Sequence, residues 1–303
     1  MGGSRMREEG VDTLFGIERM GTVGIVEVLG EFDHYYKVYR ALMKEIASRR
    51  YDAIILIDYP TLNLRLAKQG RCFDCPVFFF ISPQIWAWRK GRIRDIRKSV
   101  RKMFVILPFE EKLYLDAGVD AEFLGHPFID MVHPSRPREE SREKYSLNAG
   151  VKTIGLLPGS RINEVNSLLD VMIQAAEKIR SELGSCQFLL PIADSIDPDL
   201  IRQRLGANPL GIQLIQGETY DVMNSCDMLI IASGSATLEA GILGCPMVIV
   251  YKLNPLTHWL ARLLIKIPLV GLVNIVAGEE VVPELIQHKV TAENISSEVL
   301  AKI

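Results

Sequence analysis

Seven short apolar runs punctuate the chain: AIILI (53–57), VFFFI (77–81), MFVIL (103–107), TIGLL (153–157), QFLLP (187–191), MLIIA (228–232) and MVIVY (247–251). Each is rich in β-branched or large apolar residues and is bounded by Pro, Gly or Asp. None alternates between polar and apolar positions, so the pattern predicts strands buried on both faces. Helical periodicity fills the gaps. Strands alternating with helices imply parallel sheets wound by right-handed crossovers, an α/β fold. The polar stretch HPSRPREESREKYSLNAG (133–150) breaks the rhythm and reads as a linker. Two α/β domains facing across a cleft, 1–132 and 151–303, are the simplest architecture. No internal repeat or low-complexity segment interrupts them.

Two tight turns stand out within this pattern. Gly159-Ser160-Arg161 follows VKTIGLLP and opens the helical stretch INEVNSLLDVMIQAAEKI. Ser233-Gly234-Ser235 follows CDMLIIA and opens ATLEAGIL. A strand ending in a Gly/Ser turn at a helix start presents free backbone N–H groups to an anion, most often a phosphate. Two such turns about 75 residues apart in one half of the chain suggest a nucleotide held at the carboxyl edge of a sheet.

Composition narrows the function classes. With 303 residues, 48% hydrophobic, the chain has material for two cores, and its net charge of −2 gives no general affinity for nucleic acid. Of five cysteines, Cys186, Cys226 and Cys245 lie in or beside apolar runs, as buried thiols do in a reducing compartment. Cys72 and Cys75 form an isolated C-x-x-C without a second pair or a neighbouring histidine, and read as coincidence. Met1–Gly10 is polar and shows no signal peptide. The longest apolar stretch, 260–277, is broken by Arg262, Lys266 and Pro268, which argues against a membrane span, so a cytoplasmic location is expected. No G-x-G-x-x-G follows a strand and no P-loop is present, which disfavours a dehydrogenase or an ATPase. No carboxylate or histidine pair has metal spacing; neither a metal nor a cofactor is expected.

The ends depart from the pattern. A polar, partly helical segment stands where a first strand and its phosphate-facing loop are expected, and the chain stops within the helical pattern SSEVLAKI without a Gly or Asn cap. The expectation is truncation at both ends, with a small natural variant as the alternative.

The segments IDYPTLNLRLAK, FFFISPQIWAWRKGRI, VILPFEEKLY, EFLGHPFID, IGLLPGSRINEV, IIASGSATLEAGILGCPMVIVYK and NIVAGEEVVPELIQ, together with VGIVEVLGEF near the start, resemble bacterial lipid-A-disaccharide synthases in order and spacing. The match runs from about Gly2 to the last residue. S-P-x-x-W-A-W-R together with L-P-G-S-R is its most specific part. The resemblance implies two Rossmann-like domains of the GT-B glycosyltransferase fold. It also implies an inverting transfer joining UDP-2,3-diacylglucosamine to 2,3-diacylglucosamine 1-phosphate (lipid X) through a β-1,6 bond, with release of UDP. The family's Gly-Glu-Ala-Ser-Gly-Asp segment is absent here, as are its last C-terminal helices.

Asp58 ends a strand before Tyr59-Pro60, where a carboxylate projects from the sheet's carboxyl edge. An inverting transfer needs one base for the acceptor hydroxyl, and Asp58 matches the family's base. A strand-end Asp capping the next helix is the alternative. The family's Pro-Asp-Phe-Asn is replaced here by Pro60-Thr61-Leu62-Asn63, which keeps Asn63 but loses a carboxylate and an aromatic ring. Departing UDP leaves charge on its diphosphate. Gly159 and Ser160 allow close approach of backbone donors, and Arg161 can add a bidentate contact. Ser233, Gly234 and Thr237 would form the second cradle. By resemblance, Glu239 would bind the ribose hydroxyls and Asn274 would lie near the nucleotide sugar, although a turn-forming Asn is equally consistent with the sequence.

Ile25, Leu29, Phe32, Tyr35 or Tyr36, Tyr39, Leu42 and Ile46 recur at helical spacing, with Val26 and Val28 widening the stripe. Such a stripe reads first as core. The resemblance implies contact with acyl chains or membrane for Val26, Val28, Leu29 and Phe32, while Glu31 and Asp33 would repel anionic lipid. It places Asn63, Ser82, Trp86, Trp88 and Arg89 on the acceptor side. Arg89–Lys98, continuing to Arg101-Lys102, is a basic run suited to an anionic lipid surface or the acceptor phosphate, or simply to a solvated helix face. The expected partners are therefore UDP-diacylglucosamine, lipid X and the inner-membrane surface; a homo-oligomer stays open. The alternatives are another GT-B enzyme acting on UDP-N-acetylglucosamine, or a non-catalytic fragment that binds UDP or membrane.

Overall fold

The structure, a computed structural model, describes residues 1–16, 27–70, 75–86, 90–253 and 269–303, with side chains 27–34 and 90 set aside. The chain divides into two compact units, Met1–Leu124 and Gly125–Ile303.

In the first unit, α1 (Ser4–Glu8) and α2 (Glu27–Ser48) precede an alternating series. It runs β1 (Ile54–Ile57), α3 (Pro60–Gly70), β2 (Val77–Phe80), α4 (Ile93–Ser99), β3 (Lys102–Val105), α5 (Pro108–Asp116) and β4 (Ala121–Phe123). The strands form one parallel sheet in the order β1-β2-β3-β4. Leu56, Val77, Phe79, Met103, Val105 and Ala121 bury one face against Leu62, Leu66, Ile96 and Tyr114. The other face is less covered: Ile55 and Ile57 on the outermost strand are 67% and 46% exposed. The expectation of two buried faces therefore fails for β1. In the apolar stripe of α2, Tyr35, Val38, Tyr39, Leu42 and Ile46 join this core while Tyr36 is exposed. The described half of that stripe is thus core. Val28, Leu29 and Phe32 lie on α2, and their side chains, like Val26, fall outside the described residues.

The second unit holds α6 (Phe128–Met131), α7 (Arg138–Lys144), β5 (Lys152–Leu157), α8 (Ile162–Leu183), β6 (Cys186–Ile192), α9 (Pro198–Leu205), β7 (Gln213–Gln216) and α10 (Thr219–Ser225). It continues through β8 (Met228–Ala232), α11 (Ser235–Ile242), β9 (Met247–Tyr251), α12 (Leu272–Ala277), β10 (Glu284–Ile286) and α13 (Ala292–Leu300). Its sheet is parallel, in the order β10-β9-β8-β5-β6-β7. The chain enters at β5, grows outward through β6 and β7, then returns to the other side of β5 as β8. Both faces are covered: Ile154, Leu156, Met228, Ile230, Val248 and Val250 join one core, while Leu157, Leu229, Ile231, Met247 and Ile249 join the other. This layering explains why the central strands read as unbroken apolar runs.

The stretch 133–150 carries α7 and belongs to the second unit. Arg138 donates to the carbonyls of Asn224 and Cys226 and to Asp227 Oδ1, and Arg142 donates to Ser225 O. These two arginines, one turn apart, close the carboxyl end of α10, where cations are favoured by the helix dipole. Cys186, Cys226 and Cys245 are buried free thiols, and burial pushes the Cys245 thiol up to about 11. Cys72 lies outside the described residues. Among the described residues no helix is long and apolar enough to cross a membrane.

Candidate functional site

The reversal of strand order between β5 and β8 is a topological switch point, where α/β sheets open a crevice beyond their carboxyl ends. Leu157 of β5 pairs with Ile231 of β8, so the turns that follow the two strands emerge side by side. They are the two Gly/Ser turns singled out in the sequence. Gly159 takes φ +112°, and a Cβ there would lie 2.3 Å from Glu164 Oε2, so this turn needs glycine. Glu164, third residue of α8, folds back over the turn. Its Oε2 accepts from Ser160 N (3.1 Å) and Arg161 N (3.3 Å), and its Oε1 accepts from the Arg161 guanidinium (3.1 Å). The donors expected to face an anion thus hold the chain's own carboxylate. The Arg161 side chain remains 69% exposed.

In the second turn, Ser233 Oγ donates to Val270 O (2.9 Å). Thr237 Oγ1 donates to Gly234 O (2.8 Å) and accepts from Leu272 N (3.0 Å). Both hydroxyls stitch the turn to the segment that opens α12. Gly234 and Ser235 are exposed at the start of α11, where Thr237 N donates to Gly234 O and the first two N–H groups of the helix have no carbonyl one turn back. Glu239 is half-buried one turn further on, and burial raises its carboxyl above the usual range.

Asn274 is fully buried. Its amide donates to Val282 O and Glu284 Oε1, both at 2.8 Å, and its carbonyl accepts from Val281 N and Val282 N. An amide offers two donors and two acceptor sites, so this side chain is saturated and keeps nothing for a ligand. Glu284 completes the arrangement by accepting from Val270 N and Gly271 N.

At the carboxyl edge of the first unit's sheet, Asp58 and Tyr59 follow β1 with φ of 45° and 42°, and Ile81 follows β2 with φ 64°. Positive φ is costly for residues with a Cβ, most of all for a β-branched one, and such strain gathers at functional sites. Asn63, buried on α3, holds the first turn by donating to Ile57 O (3.0 Å) and Asp58 O (2.7 Å). Asp58 N donates to Phe80 O, which ties the turn to β2. The Asp58 side chain is exposed, and among the described residues its carboxylate meets no donor. It therefore does not cap α3.

Beyond β2, Ser82 Oγ (2.7 Å) and Trp86 Nε1 (2.9 Å) both donate to Glu110 Oε1. Trp88 and Arg89 lie outside the described residues. Of the basic run, Arg94, Arg97, Lys98 and Arg101 are exposed, while Asp95 pairs with Lys68. Sequence reasoning passed over Glu110, Glu164 and Glu284. The first two carried a readable signal, a glutamate at the third position of a helix, where its carboxylate reaches back to the helix's first N–H groups. Glu284, within a three-residue strand, carried none.

The family model described as lipid-A-disaccharide synthetase matches residues 1–303. The chain is 43% identical over 302 residues to the lipid-A-disaccharide synthase of Syntrophus aciditrophicus, covering 99% of this chain and 79% of that protein. It is 43% identical over 299 residues to the one from Geobacter sulfurreducens, covering 99% and 78%. The chain belongs to the lipid-A-disaccharide synthase family. Members of the lipid-A-disaccharide synthase family are glycosyltransferases of lipid A biosynthesis, and solved structures agree on the fold. A UDP-GlcNAc 2-epimerase from Neisseria meningitidis bound to UDP-GlcNAc gives a TM-score of 0.58 at 10% identity over 97% of this chain and 78% of that one. A glycosyltransferase from Rickettsia africae gives 0.54 at 11% identity over 99% and 77%. These likenesses identify the GT-B fold of the lipid-A-disaccharide synthase family.

Proposed function

We propose that the protein transfers 2,3-diacylglucosamine from its UDP derivative to 2,3-diacylglucosamine 1-phosphate, with inversion at the anomeric carbon. The observation that carries this reading is the pair of turns at the switch point between β5 and β8, within a chain of this family. In this assignment the second unit binds UDP. Arg161 and the backbone donors of 159–161 and 234–235 receive the diphosphate, and Glu239 receives the ribose hydroxyls. Ser233 and Thr237 shape the cradle, and Asn274 with Glu284 fixes the segment behind it.

The first unit supplies the acceptor side. The Asp58 carboxylate takes the proton of the acceptor hydroxyl while that oxygen attacks the donor's anomeric carbon. The bond from that carbon to the diphosphate breaks, and its electron pair leaves with UDP. Fixed donors at the departing charge are worth roughly 3–4 kcal/mol each in such reactions. The exposed basic residues of 94–101 suit an anionic lipid surface or the acceptor phosphate, at about 1 kcal/mol per charge near a bilayer, which supports peripheral attachment to a membrane.

Asp58→Asn tests the assignment. Transfer from UDP-2,3-diacylglucosamine should be lost while UDP affinity, measured by calorimetry, stays unchanged. Wild-type turnover in this variant removes Asp58 from the role of base. Equal turnover of non-acylated UDP-N-acetylglucosamine by the unmodified protein rejects the lipid substrate.

A further inference from the structure

Glu110 is 1% exposed, and burial raises its carboxyl above the usual range. Among the described residues it accepts from Ser82 Oγ at 2.7 Å and Trp86 Nε1 at 2.9 Å on one oxygen and from Leu107 N at 3.3 Å on the other. Burying a carboxylate costs more than filling the same space with an apolar side chain, so a purely structural position has little reason to keep one. What Glu110 joins is informative. It sits at the start of α5, after β3, and holds both ends of the turn that leaves β2. Tyr114, one helical turn further on, donates to Pro83 O (3.1 Å) and fixes the middle. The Trp86 ring meets Phe109 edge-on, 5.2 Å between centroids.

The clamped turn begins at Ile81, whose φ of 64° strains a β-branched residue. Phe80, just before it, accepts the Asp58 N–H. Along the chain this turn precedes α4, at whose start Arg94 is exposed, whereas Arg101 N donates to Val77 O at the opposite end of β2. A single buried carboxyl therefore fixes the 81–86 stretch, which follows the end of β2 tied to the Asp58 turn.

We propose that Glu110 is a positioning residue for the acceptor: ionised, it locks the Ile81–Trp86 turn so that the first unit recognises the phosphate of an acylated sugar phosphate. This rests on the assignment of the acceptor to the first unit. Glutamine cannot replace it without a misfit. One amide oxygen can serve either the Ser82–Trp86 pair or Leu107 N, and the amide nitrogen then faces a donor on the other side.

The test compares the unmodified protein with Glu110→Gln and Glu110→Asp. The probes are detergent micelles carrying 2,3-diacylglucosamine 1-phosphate and micelles carrying the same lipid without the phosphate, with UDP titrated separately. Glu110→Gln should lose roughly tenfold in affinity for the phosphate-bearing micelles and little for the others, as expected for a misplaced charge-assisted contact. Its UDP affinity should be unchanged. Amide hydrogen exchange should accelerate across 81–86, and Glu110→Asp, which keeps the charge, should recover part of the affinity. Glu110→Gln with unchanged affinity for the phosphate-bearing micelles overturns the proposal. So does an unmodified protein that does not distinguish the two micelles, or a loss that extends equally to UDP. Failure of the transferase reading looks different: the unmodified protein binds no UDP and forms no disaccharide, while the micelle comparison still reports on Glu110.

Discussion

Glu164→Gln should tighten UDP binding, although it removes a well-bonded side chain. In the structure the carboxylate accepts from Ser160 N, Arg161 N and the Arg161 guanidinium, the donors assigned to the diphosphate. A phosphate must either displace it or sit beside it. Displacement forfeits two backbone hydrogen bonds at about 0.5–1.5 kcal/mol each. Coexistence sets two anions about 5 Å apart, which at an effective dielectric of 20 costs about 3 kcal/mol before screening. Arg161 is largely solvated, and salt weakens this repulsion, so about 1–2 kcal/mol is a fair penalty for the charge where the two anions coexist; a displaced glutamine would give up the same two backbone bonds. Removing the charge should therefore lower the UDP dissociation constant by about 5- to 30-fold. The glutamine oxygen still accepts from the helix start, so thermal stability should change little. Calorimetric titration with UDP and with pyrophosphate, at two ionic strengths, reads the effect, which should shrink as salt rises. Unchanged or weaker binding in the folded variant would show that Glu164 does not compete with the diphosphate at this turn.

Gly159→Ala combines a left-handed backbone with a Cβ 2.3 Å from Glu164 Oε2, and should cost the second unit about 2 kcal/mol. A melting temperature within a degree of the unmodified protein would contradict that geometry. Asn274→Asp sets a new carboxylate against Val282 O and Glu284, and should destabilise the protein by about 3 kcal/mol near neutral pH. Because the folded state raises the affinity of that acid for a proton, the deficit should narrow as pH falls, visible in melts from pH 7.5 to 5. Glu218 is held at about 2, chiefly by the Lys144 ammonium, then by the Tyr145 hydroxyl and the nearby Arg136. A depressed carboxylate stabilises the fold above its unfolded value, about 4.3, and loses that contribution as pH falls toward 2. Glu218→Gln should therefore melt lower than the unmodified protein at pH 6 and show a flatter fall between pH 4.5 and 2.5; parallel curves would refute the linkage.

The central strands were legible because both faces of the second sheet are buried, leaving no polar position in β8 or β9. The strands that escaped notice, β4 (AEF), β7 (QLIQ) and β10 (ELI), are all sheet edges, where one side meets solvent and polar residues are tolerated. At the site, the backbone turns at 159–161 and 233–235 could be read from glycine and strand endings. The use made of each polar side chain could not. Asn63, Ser82, Thr237 and Asn274 are residue types that bind ligands or brace turns equally well, and the structure shows each bonded within its own unit. Only the fold, by bringing Leu107, Trp86 or Val282 alongside, decides between those uses.

The pair of arginines on α7 bears on how this protein is best divided. A cut placed by composition near residue 150 would discard Arg138 and Arg142 and leave the carbonyls of Asn224, Ser225 and Cys226 without their guanidinium partners. The second unit prepared by itself should begin at Gly125, so that the charged stretch carrying α7 travels with the sheet it fastens.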